Sequence, residues 1–487
     1  MEYLGVLVLV LSFVILLIIG VPIAFSIGVS GILTMLVSID IIPALTTFSH
    51  RMATGLDSFA LLAIPFFILA GNIMNRGGIA IRLIDFARVL VGGIPGGVAV
   101  VNVLANMLFG AISGSAVASA SAIGTIMQPE MKKEGYSENF SAAVNITSAT
   151  TGMSIPPSNI LIVYSLASGG VSITALFLAG YIPGILTGIG IIITALTMLI
   201  YKKDGTKAAI KGLGFIALII TSLLLLLKGI IFSKATFSDG VNKIMLIISL
   251  SVFCVWFIFK TIKNKERAVE GARRLLDAIP SLFMLVIVIG GILAGLFTAT
   301  EASAIAVLYS LILAFIYREI SFKDLPNIIL RSVKTTGIVM LLVATSLALS
   351  WIMAYENIPQ NVSRSIISLT DNPFMIMLLI NIILLMVGVF MDMTPAVLIF
   401  TPIFLPIVTA LGIDPIHFGI IMVLNLSVGL CTPPVGSVLF IGCSVANLSI
   451  DKVIKPLIPM FISMVVVLLL VTYIPEIALW LPKSLGF

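Results

Sequence analysis

The sequence predicts an all-α integral membrane protein built from inverted repeats, with two re-entrant helical hairpins and two discontinuous helices. Three observations lead there. Hydrophobic residues make up 60% of the 487-residue chain and charged residues only 10%, with a mean hydropathy of +1.24; soluble globular chains carry about 25% charge. Apolar runs recur from Leu4 to Leu481 without a polar stretch long enough to fold alone. The Gly and Pro residues of one segment recur 277 residues later.

A hydrocarbon core of about 30 Å needs about 20 residues of helix to cross it. Candidate spans in chain order are 4–20, 22–39, 58–75, 138–169 (interrupted), 172–201, 209–231, 241–260, 279–297, 299–317, 334–356, 415–446 (interrupted) and 456–480. The opening Met1-Glu2-Tyr3 lacks a basic leader, so 4–20 reads as a first span rather than a cleaved signal. Segments 4–39 and 279–317 each read as two spans or as one long bent helix. Two further apolar stretches, 97–128 and 374–407, are too long for one simple span and carry small polar residues at their middles. Each fits a helix that enters, turns and leaves on the same side, which is tolerated where the irregular backbone is buried in protein or lines a cavity.

Within 129–157 all the Gly and Pro residues are Pro129, Gly135, Gly152, Pro156 and Pro157; adding 277 gives Pro406, Gly412, Gly429, Pro433 and Pro434. Self-similarity at one offset marks a repeat. The division is a first repeat over 1–203, an inserted helix pair within 204–264, and a second repeat over 265–487. Seven spans precede the second copy, so it starts from the opposite face. The segments this places inside (76–88, 132–133, 202–211, 260–274, 318–334 and 452–455) hold 21 of the 27 basic residues, as the positive-inside rule requires. Both termini then lie outside. The pair at 209–260 reads as accessory helices.

Inverted repeats with broken helices point to a binding site at the membrane midplane. In the first copy the hairpin tip Gly110–Ser115 faces the break 151–159; in the second, 390–395 faces 429–434. Glycine permits unusual dihedrals, and proline frees carbonyls from the helix ladder. Ser154, Ser158, Asn159, Pro433 and Pro434 flank the breaks and are the candidate substrate contacts. Asp392, an ionisable group deep in an apolar run, is a functional candidate by default, with hairpin capping as its alternative. Glu301 reads more as a helix-junction residue than as part of a site. Asn102, Asn106, Asn145 and Asn425 lie in the same segments; of these, Asn145 and Asn425 either reach the site or bridge helices. His50 and His417 read as surface residues. Cys254, Cys431 and Cys443 lie in apolar segments and read as small core residues. No metal-ligand spacing, no Gly-x-Ser-x-Gly elbow and no Walker loop is present, which argues against an intramembrane enzyme.

Several strings together give a specific resemblance: Ile64-Pro-Phe-Phe-Ile-Leu-Ala-Gly71, Met74-Asn-Arg-Gly-Gly78, Gly110-Ala-Ile-Ser-Gly-Ser-Ala116, Met131-Lys-Lys-Glu-Gly-Tyr136, Ile155-Pro-Pro-Ser158, Phe297-Thr-Ala-Thr-Glu-Ala302, Asp414-Pro-Ile-His-Phe-Gly419 and Thr432-Pro-Pro-Val-Gly436. Over about 1–203 and 265–482 the chain resembles the large membrane subunit (DctM-like) of tripartite ATP-independent periplasmic (TRAP) transporters, of the ion-transporter superfamily. The resemblance implies an elevator-type carrier in the bacterial cytoplasmic (inner) membrane. It also implies a small four-helix membrane subunit and a soluble extracytoplasmic substrate-binding protein as partners. The substrate would be a small organic acid such as a C4-dicarboxylate, sialic acid or a similar carboxylate, with Na⁺ as coupling ion and no other cofactor or transition metal. Carried over residue by residue, one Na⁺ site would involve Ser113, Ser115, Gly152 and Pro156, and the other Asp392, Thr394, Gly429 and Thr432. The chain departs from the family at Ser119, where members commonly carry aspartate, and in the inserted pair. A binding-protein-independent anion/sodium symporter of the same mechanical type is the alternative, and a passive channel a further one.

Overall fold

Gly20, at a φ of +86°, and Pro22 divide the first apolar stretch into α1 (Leu4–Ile18) and α2 (Ile23–Ser38). A computed structural model describes residues 4–92, 96–201, 265–370, 372–433 and 436–487, and every extended element among them is a helix. The inserted pair at 209–260, Cys254 and Pro434 lie outside the described residues.

After α2 come α3 (Ile41–Leu56), a 3₁₀ turn (Phe59–Leu62), α4 (Ala63–Arg76), α5 (Ile79–Val91), α6 (Gly97–Ser113), α7 (Ala116–Lys133), α8 (Glu138–Ala149), α9 (Asn159–Ala167) and α10 (Ile173–Tyr201). The second half runs through α11 (Lys265–Leu293), α12 (Ala299–Ile316), α13 (Leu325–Tyr355), α14 (Ile358–Leu369), α15 (Pro373–Phe390), α16 (Met393–Ala410), α17 (Pro415–Gly429), α18 (Ser437–Ala446), α19 (Ile450–Tyr473) and α20 (Glu476–Ser484). Eight described helices are long and apolar enough to cross a membrane. The ambiguous stretch 279–317 is two helices, α11 and α12, separated by a turn at Gly295, whose φ is +69°.

Helix bounds follow the 277-residue offset. Adding it to 116–133 gives 393–410, the bounds of α16, and adding it to the starts of α8 and α10 gives those of α17 and α19. α6 maps onto α15 and α2 onto α12 within one residue at each end. Packing is reciprocal as well. α4 lies against α12, and their counterparts α13 and α2 lie against each other. α7 packs on α18 while α16 packs on α9. Such exchange of equivalent contacts is what a twofold relation between two like units produces.

Sequence reading passed over α3, α5 and α14. None is a long apolar run. α5 carries Arg82, Asp85 and Arg88 at three-residue spacing on one side and buries Ile79, Leu83, Ile84 and Ala87 on the other. That 3.6-residue period belongs to an amphipathic helix, and α14, its counterpart near the offset, places Arg364 and several small polar residues among Ile and Leu. The described ion pairs gather around α5 and its neighbours. Arg82 meets Glu319 at 3.5 Å, Arg274 meets Asp85 at 3.2 Å, Arg76 meets Asp324 at 3.7 Å, and Arg88–Glu130 and Lys132–Glu138 complete the set. Asp324 also accepts from the Ser321 hydroxyl at 2.6 Å and from its backbone N–H at 3.0 Å. These bonds hold its carboxyl below the usual aspartate range. All five pairs use basic residues from segments the charge bias assigns to the inner face. At the opposite extreme, α1 exposes Leu4, Leu7, Leu11, Ile15 and Ile18, a stripe at three- to four-residue spacing that suits lipid or a neighbouring helix.

Candidate functional site

The first broken helix stops where its hydrogen-bond ladder changes pitch. Beyond α8, Ser154 N–H donates to Thr151 O at 3.3 Å and Ile155 N–H to Gly152 O at 3.2 Å, a tighter i→i+3 pattern. Pro156 and Pro157 supply no N–H, so the helix cannot resume until Asn159 opens α9. The Ser158 hydroxyl donates to Met153 O at 2.5 Å and steadies the turn. The second break repeats this at the same offset: Cys431 N–H donates to Val428 O at 3.1 Å and Thr432 N–H to Gly429 O at 2.9 Å. α18 then starts at Ser437.

A hairpin closes on each break through a pair of glycines. A Cβ built on Gly152 would stand 2.5 Å from Gly110 Cα and 2.7 Å from Ala111 N. A Cβ on Gly429 would stand 2.6 Å from Gly388 Cα and 2.7 Å from Gly388 C. Side chains of any size are excluded at both crossings, which lets backbone touch backbone. In the first tip Gly114 adopts a φ of +61°, and Ser115 caps α7 by accepting from Ala118 N–H at 3.2 Å. The tip abuts the second half of the broken helix, since a Cβ on Gly114 would lie 2.8 Å from Asn159 Nδ2. From the other side α4 presses in at Gly71, whose Cβ would be 2.9 Å from Ser113 O. Ser113, Ser115, Gly152, Pro156, Ser154, Ser158 and Asn159 therefore occupy one neighbourhood.

In the second tip Asp392 stands at the N-cap of α16 with its side chain exposed, between buried Met391 and Met393. Thr394, Thr432 and Pro433 are half-buried and Gly429 is buried. The two breaks also touch each other. The Cys431 thiol donates to Ile146 O at 3.4 Å and lies 3.8 Å from Thr150 Oγ1. One floor therefore carries both openings of the helix ladder.

The chemistry open to this arrangement follows from its donors. At each break one helix ends with free carbonyls and another begins with free N–H groups, so a partial negative and a partial positive pole stand side by side. Carbonyl and hydroxyl oxygens suit a hard cation, and helix N-termini suit a carboxylate. Ser154 is buried and its hydroxyl has no hydrogen-bond partner among the described residues; half-buried Ser437, at the start of α18, likewise has a hydroxyl shielded from solvent and without a partner among them. A polar group left unpaired in an apolar medium costs several kcal/mol, so both are available to a ligand. α10 covers this region, with a Cβ on Gly184 falling 3.4 Å from Ser154 Cβ.

Other residues resolve differently. Glu301 forms a capping box with Thr298, accepting from its N–H at 2.8 Å, and so organises the start of α12. His417 is not on the surface as expected. It is buried, with Nε2 2.7 Å from Val471 O, because α19 and α20 pack over the start of α17. Cys431 and Cys443 are buried, as core residues should be. Asn145 and Asn425 bridge helices. Sequence reading missed Gly388 and the contact of Cys431 with the first break. Gly388 follows Gly110 by 278 residues, so a search allowing one residue of slip would have found it. Nothing in the sequence announces the thiol contact.

Comparison with known proteins bears on this geometry. The family model described as "Tripartite ATP-independent periplasmic transporter, DctM component" matches residues 10–477. The protein YgiK of Salmonella typhimurium is 50% identical over 477 residues, covering 98% of this chain and 97% of that one. The C4-dicarboxylate TRAP transporter large permease protein DctM of Pseudomonas aeruginosa is 37% identical over 463 residues, covering 95% and 94%. Among solved structures, the YdaH transporter of Alcanivorax borkumensis superposes with a TM-score of 0.56 at 12% identity, covering 90% of this chain and 89% of that one. That last likeness concerns the fold alone.

Proposed function

Because the chain belongs to the DctM family of TRAP transporter large permeases, a family of inner-membrane transporters rather than enzymes, we propose that it imports a small organic acid by coupling its passage to Na⁺. The single observation that carries this reading is the meeting of two oxygen-bearing chain breaks at Cys431 and Thr150, each closed by its own hairpin at a glycine pair.

Each break would take one Na⁺. Ser113, Ser115, Gly152 and Pro156 supply the first with hydroxyl and carbonyl oxygens. Asp392, Thr394, Gly429 and Thr432 supply the second and add one carboxylate. Ser154, Ser158, Asn159, Pro433 and Pro434 border the gap, where the N-termini of α9 and α18 favour the substrate carboxylate. Bound cations offset the negative charge of that carboxylate, which is the physical basis of coupling. The repeats run in opposite senses through the membrane, and the hairpin–break units travel as an elevator against a frame built from α2, α4, α12 and α13.

TRAP large permeases work with a small membrane subunit and a soluble binding protein, and we assign both partners here. The relative in Pseudomonas aeruginosa is named for C4-dicarboxylates; for this chain the substrate is a small carboxylate that the binding protein selects. The test is reconstitution of the chain with its small subunit and ligand-loaded binding protein in proteoliposomes. Accumulation against the solute gradient only under an imposed inward Na⁺ gradient is the expected result. Equal accumulation without Na⁺, or simple equilibration, would overturn it. Accumulation driven by Na⁺ without any binding protein would move the chain to the binding-protein-independent symporters.

A further inference from the structure

Beneath the first hairpin tip lies a buried amide that no transport step above uses. Asn106 on α6 is fully buried. Its Nδ2 lies 2.7 Å from Asn102 Oδ1, 2.9 Å from Ser148 Oγ, and 3.1 Å from both Asn102 O and Asn145 Oδ1. Its Oδ1 accepts from the Ser119 hydroxyl at 2.7 Å. Asn145 Nδ2 in turn donates to Ala120 O at 2.8 Å. These bonds tie both arms of the hairpin, α6 and α7, to α8. An amide has two protons, so four acceptors share them and none is indifferent to the loss of Asn106.

Position gives the cluster its meaning. Ser119 is four residues beyond Ser115, Ser148 is four before Gly152, and Asn106 is seven before Ser113. At 3.6 residues per turn, each stands one or two turns below a candidate cation ligand. The second half is bolted differently. Asn425 Nδ2 donates to Asn381 O at 2.9 Å and to Asn381 Oδ1 at 2.8 Å, while Asn381 Nδ2 reaches Met377 O and Thr472 Oγ1. That link joins α15, α17 and α19. Adding 277 to 106 and 145 lands on Ile383 and Met422, so the first cluster is not a consequence of the repeat.

We infer that Asn106 is a positioning residue for the first cation site: it holds the tip Ser113–Ser115 against Gly152 so that their oxygens converge before the ion arrives. The inference rests on the Na⁺ reading above. An alanine at 106 leaves Asn102 Oδ1 and Asn145 Oδ1 short of a partner in an apolar medium, and leaves the Ser119 hydroxyl only its longer bond to the backbone carbonyl of residue 106, at 3.3 Å. The helices relieve this by separating, and the tip loosens.

The experiment is a Na⁺ activation curve for uptake in proteoliposomes holding the complete assembly, for wild type, Asn106→Ala and Ser119→Ala, the last removing only the α7 hydroxyl that bonds Asn106 and leaving the amide with its α8 partners. Half-saturation should rise about tenfold in Asn106→Ala and about threefold in Ser119→Ala, with uptake at saturating Na⁺ within about twofold of wild type. A merely structural role would lower the maximum and leave half-saturation in place, and that result overturns the inference. So do mutant curves that superimpose on wild type. A wild-type curve flat in Na⁺ overturns the Na⁺ reading and this inference with it; a Na⁺-dependent wild type with unmoved mutants overturns this inference alone. Should Asn106→Ala fail to assemble, the Ser119→Ala curve decides by the same criterion.

Discussion

Cys431 and Thr150, 281 residues apart in the chain, lie with Sγ and Oγ1 3.8 Å apart, Cys431 within the second break and Thr150 capping the end of α8 where the first break begins. Cys431 is fully buried, so the contact has no room to spare. Replacing it with isoleucine should overpack the junction, at about 1–3 kcal/mol. The measurement is heat unfolding in detergent, where Cys431→Ile melts below wild type and Cys431→Ser, which keeps the size and a donor, stays close to it.

The glycine crossings give a sharper expectation. Gly152→Ala and Gly429→Ala each drive a methyl into backbone, at 2.5 Å and 2.6 Å from the opposing Cα, and backbone cannot step aside as a side chain can. Uptake should fall at least tenfold in each while the protein still reaches the membrane. Gly290→Ala is the control, because nothing lies within 4 Å of its added Cβ. Its uptake should match wild type.

Acid should weaken the turn before α13 in a defined direction. Asp324 is held below the usual aspartate range, first by the Ser321 hydroxyl and then by its N–H. A depressed folded pKa contributes stability that is present above the unfolded value, near 3.9, and is lost as pH falls through the folded value. Asp324→Asn should therefore lower the melting point at neutral pH. The gap between mutant and wild type should close as the medium is acidified below about pH 4.

The opposed orientation proposed for the repeats predicts where the ends of the hairpins emerge. Cysteines placed at Lys133, the last residue of α7, and at Leu411, just past α16, should react with an impermeant thiol reagent from opposite faces of the membrane. Reaction of both from one face would exclude inverted repeats.

Much of this architecture is legible in the sequence. The break positions followed from the adjacent prolines Pro156-Pro157 and Pro433-Pro434 close after Gly152 and Gly429, since two successive residues without an N–H leave a gap in the ladder that lone prolines such as Pro129 and Pro406, carried inside α7 and α16, do not. The hairpin turns followed from Ser113-Gly-Ser115 and Asp392, polar residues that only a turn explains inside apolar runs. α5 and α14 were missed because their apolar residues are periodic rather than continuous, and a search for spans is blind to period. His417 looked like a surface residue from its place beside Asp414-Pro415, and became buried only through helices that arrive some 50 residues later in the chain. The Asn106 cluster and the Cys431 contact depend on side chains from separate helices meeting at angles that no local pattern encodes.

The most direct test of the account needs no substrate. Na⁺ that binds the folded breaks must stabilise them by mass action, by about 1.4–2.7 kcal/mol at ten to a hundred times its dissociation constant. Heat unfolding of the detergent-solubilised protein in Na⁺ against choline, at equal ionic strength, should show a Na⁺-specific rise of about 2–5 °C. Asp392→Ala should lose a large part of that rise. Midpoints that coincide in Na⁺ and choline, or an Asp392→Ala protein that Na⁺ stabilises as well as wild type, would contradict the assignment of the breaks as cation sites.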